Sequence, residues 1–319
     1  MLACRIKSIG KTPVIEQISI PSPGKNEVRL TVHACGLNFA DLLMQRGLYQ
    51  DTPKVPFTLG MEVAGEINAV GSLVTDLSVG DRVAVVGGHG GLAEQAVYNA
   101  QNVIKIPKQM TYEHAAAFQI AYGTSHVALS HRGNLKSGEN LVVLGAAGGV
   151  GLTAVEIGKL IGANVIAIAR GKDKLTIAER AGANHLIDTD YENIRDAIKK
   201  LGGADIVYDP VGGTAFEAVF RACKPEARLL IIGFASGDIP KIPANHLLVK
   251  NISVLGFYWG GYLKFRPNVI SKSMKQLITW YLDGQLNPHI SHRFSLQKAV
   301  EGLKKLRDRK STGKVLILP

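Results

Sequence analysis

Residues 140–170 read NLVVLGAAGGVGLTAVEIGKLIGANVIAIAR. The segment opens on an uncharged, β-branched run that ends at glycine, which predicts a buried strand over 141–145. AAGGVG supplies small residues for a tight turn. LTAVEIGKLIGA spaces its apolar residues near 3.6 and predicts a helix over 149–161, and a second strand follows over 164–168. Strand, glycine-rich turn, helix, strand is the context that the dinucleotide-binding fingerprint requires. Ala146 and Gly148 let the backbone turn tightly and approach a pyrophosphate, and Gly151 lets the helix pack close to the strand. The free N–H groups at the helix start would face the phosphates, which makes Ala147, Gly148, Gly149 and Val150 the candidate cradle. The pattern departs from strict G-x-G-x-x-G at Ala146, so a βαβ unit that binds nothing is the competing reading.

The end of the second strand bears on which dinucleotide is held. A site for NAD places an acid there, about 20 residues on, against the ribose 2′-hydroxyl. This chain instead reads AIARGKDK, with Arg170, Lys172 and Lys174. Arg and Lys pair with a 2′-phosphate that an acid would repel. Asp173, the nearest acid, falls in the first turn of the next helix, where an acid is favoured anyway. The expected cofactor is NADPH.

Outward from this segment the alternation continues. Strands are predicted at 184–187, 205–209 and 228–233, and helices at 173–181, 191–201 and 214–222. That rhythm argues for a parallel sheet of βαβ units, which ISVLGFY (252–258) could close. The first 120 or so residues read differently, as short strands: EVRLTVHACG (27–36), GEINAVG (65–71) and GDRVAVVGG (80–88). A helix at 39–47, capped at or near Asn38, interrupts them, and 112–129 reads as one helix. After the sheet come helical patterns at 269–286 and 296–310 and a last strand, KVLILP.

The 319 residues are 46% hydrophobic, enough for a large core in one or two domains. No apolar leader is expected at the N-terminus, and the uncharged, glycine-rich run Leu141–Val155 falls short of the roughly 18 residues of a membrane span. Cys4, Cys35 and Cys223 are odd in number and widely spaced, which suggests reduced thiols and a cytoplasmic protein. From Lys241 onward there are 14 Lys and Arg against 3 Asp and Glu, which accounts for the whole net charge of +11. Such a field suits a phosphorylated small molecule, a nucleic acid or a membrane, or is simply a solvated helix face.

GLNFADLLMQRGLY (36–49), LGMEVAGEI (59–67), VGDRV (79–83), LGAAGGVG (144–151) and STGKVLILP (311–319) together resemble the medium-chain dehydrogenases/reductases, and within them the zinc-free quinone oxidoreductase branch that includes zeta-crystallin. The resemblance covers nearly the whole chain. It implies an α/β protein of two domains: a GroES-like, mostly-β catalytic domain from residues 1–122 and 259–319, and a Rossmann domain, a doubly wound parallel sheet, from 123–258. It also implies a homodimer through the edge of the Rossmann sheet. Zinc members of the superfamily carry Cys where this chain has Asn38 and His where it has Met61, and no Cys lies between Cys35 and Cys223 to form a structural zinc lobe. His33 and Cys35 share one strand face but lack a third ligand, so no metal is expected; His89 reads as a loop residue.

The resemblance implies hydride transfer from NADPH to an already electrophilic acceptor, a quinone or an α,β-unsaturated carbonyl. It places Asn38 against the nicotinamide ribose or the acceptor oxygen, with simple helix capping as the alternative. It places Tyr49 as proton donor, with apolar packing as the alternative. Thr124 would lie beside the nicotinamide. Val211 and Phe234 follow strands whose carboxyl ends line a cofactor crevice. Arg309 matches an arginine used for the 2′-phosphate, whereas Thr189 stands where some relatives have a tyrosine. Tyr258 and Trp259 could wall the acceptor pocket or pack at a domain interface. Three functions stay open: an NADPH-dependent quinone reductase; an enoyl or enone reductase, whose substrate could be an acyl-CoA with phosphates that the basic C-terminal quarter would suit; and a structural or RNA-binding role. KKLRDRKSTGK (304–314) lacks the interleaved aromatics expected for single-strand stacking, which disfavours the last of these.

Overall fold

The computed structural model describes all 319 residues. They form two compact units, Met1–Ile120 with Asn287–Pro319, and Ala121–Leu286. The first carries β1 (Leu2–Ile6), β2 (Val14–Gln17), β3 (Glu27–Gly36), α1 (Phe39–Gln45), β4 (Phe57–Thr58), β5 (Glu62–Val70), β6 (Arg82–Val86), β7 (Gln95–Asn99), β8 (Val103–Lys105) and α2 (Tyr112–Ala116). The chain continues through α3 (Gln119–His126), β9 (Asn140–Leu144), α4 (Gly149–Ile161), β10 (Asn164–Ala169), α5 (Lys172–Arg180), β11 (His185–Asp188), α6 (Ile194–Lys200), β12 (Ala204–Asp209), α7 (Gly213–Ala222) and β13 (Cys223–Ile231). Then come α8 (Ala244–Lys250), β14 (Ser253–Gly256), α9 (Trp259–Phe265) and α10 (Pro267–Leu282), before β15 (Ile290–Ser295), α11 (Ala299–Arg307) and β16 (Lys314–Leu318) return to the first unit.

The second unit holds a six-stranded sheet of order β11-β10-β9-β12-β13-β14, every pair parallel. This is the order of a Rossmann sheet, and its switch point lies between β9 and β12. β9 is buried at every position and β10 at all but its first, as strands covered on both faces must be. That burial explains why most of the expected strands and helices of this stretch fall within a few residues of the observed ones; β13, expected from 228, begins at Cys223.

Two expectations differ from the structure. The helix expected over 112–129 breaks at Ala117–Phe118 into α2 and α3, and α3 runs on as a wider π turn over Val127–Arg132. Residues 259–286, expected with the GroES-like part, group with the second unit. The cause is packing: His126 Nδ1 meets Ser273 Oγ at 2.8 Å, and a Cβ on Gly123 would meet Trp259 Nε1 and Met274 Cε at 2.8 Å. α10 is therefore seated on α3. Burial pushes His126 down to about 4, so this contact is made by a neutral ring at pH 7.

The first unit has a three-stranded sheet, β2-β1-β4, and a seven-stranded one of order β15-β16-β3-β5-β6-β8 in which β7 also pairs with β3. β16 enters beside β3, with Leu316 opposite Gly36 and Ile317 opposite Cys35. This brings Lys314 inward. Its ammonium lies 3.0 Å from Glu62 Oε2 and 2.8 Å from Asn38 Oδ1, with 5% and 0% of the Lys314 and Glu62 side chains exposed.

Removing one partner of a buried pair leaves an uncompensated charge and costs about 3–5 kcal/mol, whereas an exposed pair is worth about 1 kcal/mol or less. Lys314→Met is expected to lose an amount in the larger range in urea unfolding at pH 7. Arg293→Ala, which removes the half-exposed Arg293–Glu113 pair, is expected to fall in the smaller. A Lys314→Met protein as stable as wild type would show that this pair does not hold the chain end in place.

Candidate active site

In the second unit, β9 ends at Leu144 and the backbone turns through Gly145, whose φ of 59° suits glycine. The turn is closed by Ala146 N–H donating to the Ile168 carbonyl and Gly148 N–H donating to the Gly145 carbonyl. Gly148 then begins α4 as an extended N-cap with no side chain to satisfy the helix start. The N–H groups of Gly149, Val150 and Gly151 are left without intrahelical partners at the positive end of a 13-residue helix. Gly148, one of the expected cradle residues, spends its own N–H inside the turn; Gly149 and Val150 do not. The helix approaches closely because residue 151 is glycine: a Cβ there would lie 2.1 Å from the Gly145 carbonyl oxygen. At Gly148 the corresponding distance is 3.3 Å.

Across the switch point lies the loop after β12. Asp209 is fully buried, and its Oδ1 accepts from the N–H groups of Val211 (2.7 Å) and Gly212 (2.9 Å). Its Oδ2 has no partner, and burial raises its carboxyl. The side chain holds Val211 beside the glycine turn, where a Cβ on Gly145 would meet Val211 Cγ2 at 3.0 Å. Phe234 follows β13 in the next loop, and the Ala235 N–H bonds back to the Pro210 carbonyl. Sequence reasoning missed Asp209. The signal was the acid directly before Pro-Val-Gly-Gly at a strand end.

Arg170 leaves the end of β10, mostly exposed, with Nε 3.4 Å from Asp190 Oδ1. Parallel register sets Ala169 beside Asp188, whose Oδ1 accepts from the N–H groups of Gly171 and Asp190. Two acids thus flank a strand end that looked free of acid along the chain. The Arg170–Asp190 pair is exposed enough to be weak, so a 2′-phosphate would displace it at little cost. Lys174 sits in the first turn of α5, and Thr124 is buried in α3, whose neighbour Ser125 bonds the Val150 carbonyl, Thr153 and Tyr208. Trp259 is buried against Gly123, its Nε1 without a partner, while Tyr258 is exposed at the start of α9.

In the first unit, Asn38 directly precedes α1 and Tyr49 lies in the loop beyond it. The Asn38 side chain does not cap the helix; Asp41 Oδ2 does, by accepting from the Asn38 N–H at 2.8 Å. The Asn38 amide is turned inward instead. Its Nδ2 donates to Gly36 O and Glu62 Oε2, both at 3.2 Å, and its Oδ1 accepts from Lys314. Both amide protons are spent, so Asn38 can accept one further hydrogen bond and donate none. Tyr49 packs its ring against the core of this unit. Arg309 is exposed beyond α11 with a left-handed backbone, φ 55°.

No group of three or more His, Cys, Asp or Glu side chains is arranged to hold a metal. The donors around Asn38 do not fit one: the Lys314 ammonium already occupies the Glu62 oxygen, and burial pushes the Cys35 thiol well up. A register shift between Val32 and Ala34 also separates His33 from Cys35, leaving His33 exposed and stacked on Tyr112 while Cys35 is buried. His89 is exposed, edge-on to Phe57.

Residues 24–108 match the alcohol dehydrogenase GroES-like domain and residues 149–280 match the zinc-binding dehydrogenase family. A quinone oxidoreductase-like protein 2 homolog of Nematostella vectensis is 42% identical over 99% of this chain and 88% of its own length. Among solved structures, the quinone oxidoreductase of Thermus thermophilus, also solved in complex with NADPH, is 31% identical at a TM-score of 0.88, with all of both chains covered. The Escherichia coli quinone oxidoreductase complexed with NADPH is 25% identical at a TM-score of 0.94, again over all of both chains. The chain belongs to the medium-chain dehydrogenase/reductase family: a GroES-like domain and a Rossmann domain of an oxidoreductase.

Two substitutions separate architecture from binding. Gly151→Ala drives a Cβ into the Gly145 carbonyl and is expected to lower stability by about 1–3 kcal/mol and to weaken NADPH binding tenfold or more. Gly148→Ala is expected to melt near the wild-type temperature yet still weaken binding, because its methyl would stand where a pyrophosphate held by this turn would approach. Equal NADPH affinities by fluorescence titration for all three proteins would remove the cradle.

Asp41 gives a pH signature. Burial pushes its carboxyl from 3.8 to about 6, opposed by the Asn38 and Gly60 N–H groups and by Lys314. The folded chain therefore holds this proton more tightly than the unfolded chain. The resulting stabilisation is full below pH 3.8 and is lost as pH rises through about 6. Asp41→Asn is expected to destabilise more at pH 4.5 than at pH 7.5, by on the order of 2 kcal/mol. A pH-independent difference in urea midpoints would contradict the raised carboxyl.

Proposed function

We propose that this member of the medium-chain dehydrogenase/reductase family is an NADPH-dependent reductase of quinones and related electrophilic carbonyl acceptors. The observation that carries the reading is the unpartnered start of α4 over a turn too tight for any residue but glycine at 151, set at the switch point of a Rossmann sheet. The relatives named as quinone oxidoreductases support the acceptor class.

In this reading the N–H groups of Gly149 and Val150 bind the pyrophosphate, with Ala147 and Gly148 shaping the turn. Arg170 and Lys174 take the 2′-phosphate, joined by Arg309. Val211 and Phe234 line the crevice, and Thr124 orients the nicotinamide. When bound, the reduced dinucleotide supplies the hydride. Asn38 accepts a hydrogen bond from a ribose hydroxyl or a carboxamide N–H, the single role its engaged amide leaves open. Tyr49 delivers a proton to the reduced acceptor, and Tyr258 borders the acceptor. A second copy pairs along the outer edge of β14, which has no partner strand within the chain.

The test is oxidation of NADPH and of NADH with a benzoquinone, a polycyclic ortho-quinone, a medium-chain enone and crotonyl-CoA, alongside sedimentation velocity on the same preparation. Expected are a higher kcat/KM with NADPH, turnover of the quinones and a dimer. Tyr49→Phe is expected to slow enone reduction more than quinone reduction. A clear NADH preference would overturn the cofactor assignment. Turnover of the enone or CoA ester alone would make the chain a double-bond reductase.

A further inference from the structure

The Rossmann unit carries a second concavity, on helices that the glycine turn does not touch. A cavity of about 290 Å³ is lined by Arg195, Lys199, Phe220, Arg221, His246, Val249, Lys250 and Ile252. Its location follows from the polarity of the sheet. Phe220 and Arg221 lie in the last turn of α7, which leads directly into the amino end of β13. The glycine turn follows the carboxyl end of β9, and all six strands are parallel. The cavity therefore lies toward the edge of the sheet opposite the dinucleotide cradle.

Its charge is one-sided. No carboxylate lines it, and Arg195, Lys199 and Arg221 form no salt bridge. Lys250 is held in place by donating to the carbonyls of Arg221 and Cys223. Helix dipoles explain part of this: Lys199 and Arg221 stand in last turns, where cations are favoured. They do not explain Arg195, the second residue of α6, where the helix field opposes a cation. Arg195 and Lys199 are also a like-charged i,i+4 pair, which costs stability in the absence of an anion. Beneath the charges the floor is apolar and flat. Phe220 and Ile252 are buried, and the Phe220 and His246 rings stack 6.0 Å apart at 14°.

We propose that this cavity binds a phosphorylated small molecule of nucleoside-diphosphate type, its phosphates on Arg195, Lys199, Arg221 and Lys250 and its flat body against Phe220 and His246. The volume lies just below the roughly 300–1,000 Å³ of small-molecule pockets, which suits at most a mononucleotide and not a whole dinucleotide. Guanidinium and ammonium groups around a shared centre are the donors that diphosphates select.

The experiment is calorimetric titration of ADP and of pyrophosphate into the full chain at low salt, with and without saturating NADPH. Run both ways, it reports on this cavity whether or not the glycine turn takes NADPH. Expected is an ADP site that persists at saturating NADPH and weakens as salt rises. Arg195→Ala with Lys199→Ala, and separately Arg221→Ala, are expected to weaken ADP about tenfold or more while leaving the affinity for NADPH unchanged. These side chains are exposed, so the variants are expected to melt like wild type, and Val249→Trp, which crowds the cavity without altering charge, gives an independent check. The proposal fails if wild type shows no ADP site, if NADPH abolishes ADP binding, or if the charge variants bind ADP as wild type does.

Discussion

The first unit depends on one buried cation. Lys314 comes from the end of the chain, Glu62 from the start of β5 and Asn38 from the entry to α1, and the three converge with Lys314 and Glu62 buried and Asn38 part-buried. A lysine is costly to bury, and its attraction to one carboxylate repays the desolvation only with good geometry and further hydrogen bonds. Here the geometry is supplied twice over. Glu62 Oε1 also accepts from the Ile120 N–H, and Asn38 returns an amide proton to the same carboxylate. One ion pair thereby fixes the last strand, the side-chain plane of Asn38 and the position of the segment leading out of this unit.

The same arrangement decides what Asn38 can do. In zinc members of this family a metal ligand occupies that position; here an ammonium stands beside it and consumes the carboxylate that a divalent ion would want. A divalent ion loaded at this point would have to evict Lys314 from a pocket in which the lysine is already satisfied.

Legibility in the sequence follows burial. β9 and β10 are covered on both faces, so they read as continuous apolar runs, and glycine punctuates the turns between them and their helices. β1, β2, β7 and β8 are short strands that a sequence pattern barely separates from loop, and the pattern does not reveal them. The resemblance assigns 259–286 to the GroES-like part, and no local window corrects it, because the segment's partners, Gly123 and His126, lie well over a hundred residues away. The candidate site divides in the same way. The turn at 145–151 is local and legible. The inward turn of Asn38 is set by Lys314, 276 residues on, and Asp188 reaches the end of β10 only through strand register. Such features belong to tertiary pairing, which no single window contains.

The parallel sheet also explains why the two proposed anion sites on one domain would need such different chemistry. At the carboxyl edge α4 begins, and its unsatisfied N–H groups supply partial positive charge that glycine can bring close. No charged side chain is needed there. At the opposite edge α7 ends, and its last carbonyls carry the negative end of the dipole. Lys250 answers that end by donating to the carbonyl of Arg221 in the last turn and to that of Cys223, which opens β13. An anion approaching that edge meets a helix field that repels it, so only full side-chain charges, in excess of those the dipole itself recruits, can hold it. Arg195 is that excess: a cation placed against its own helix's field, justified only by what it faces across the cavity.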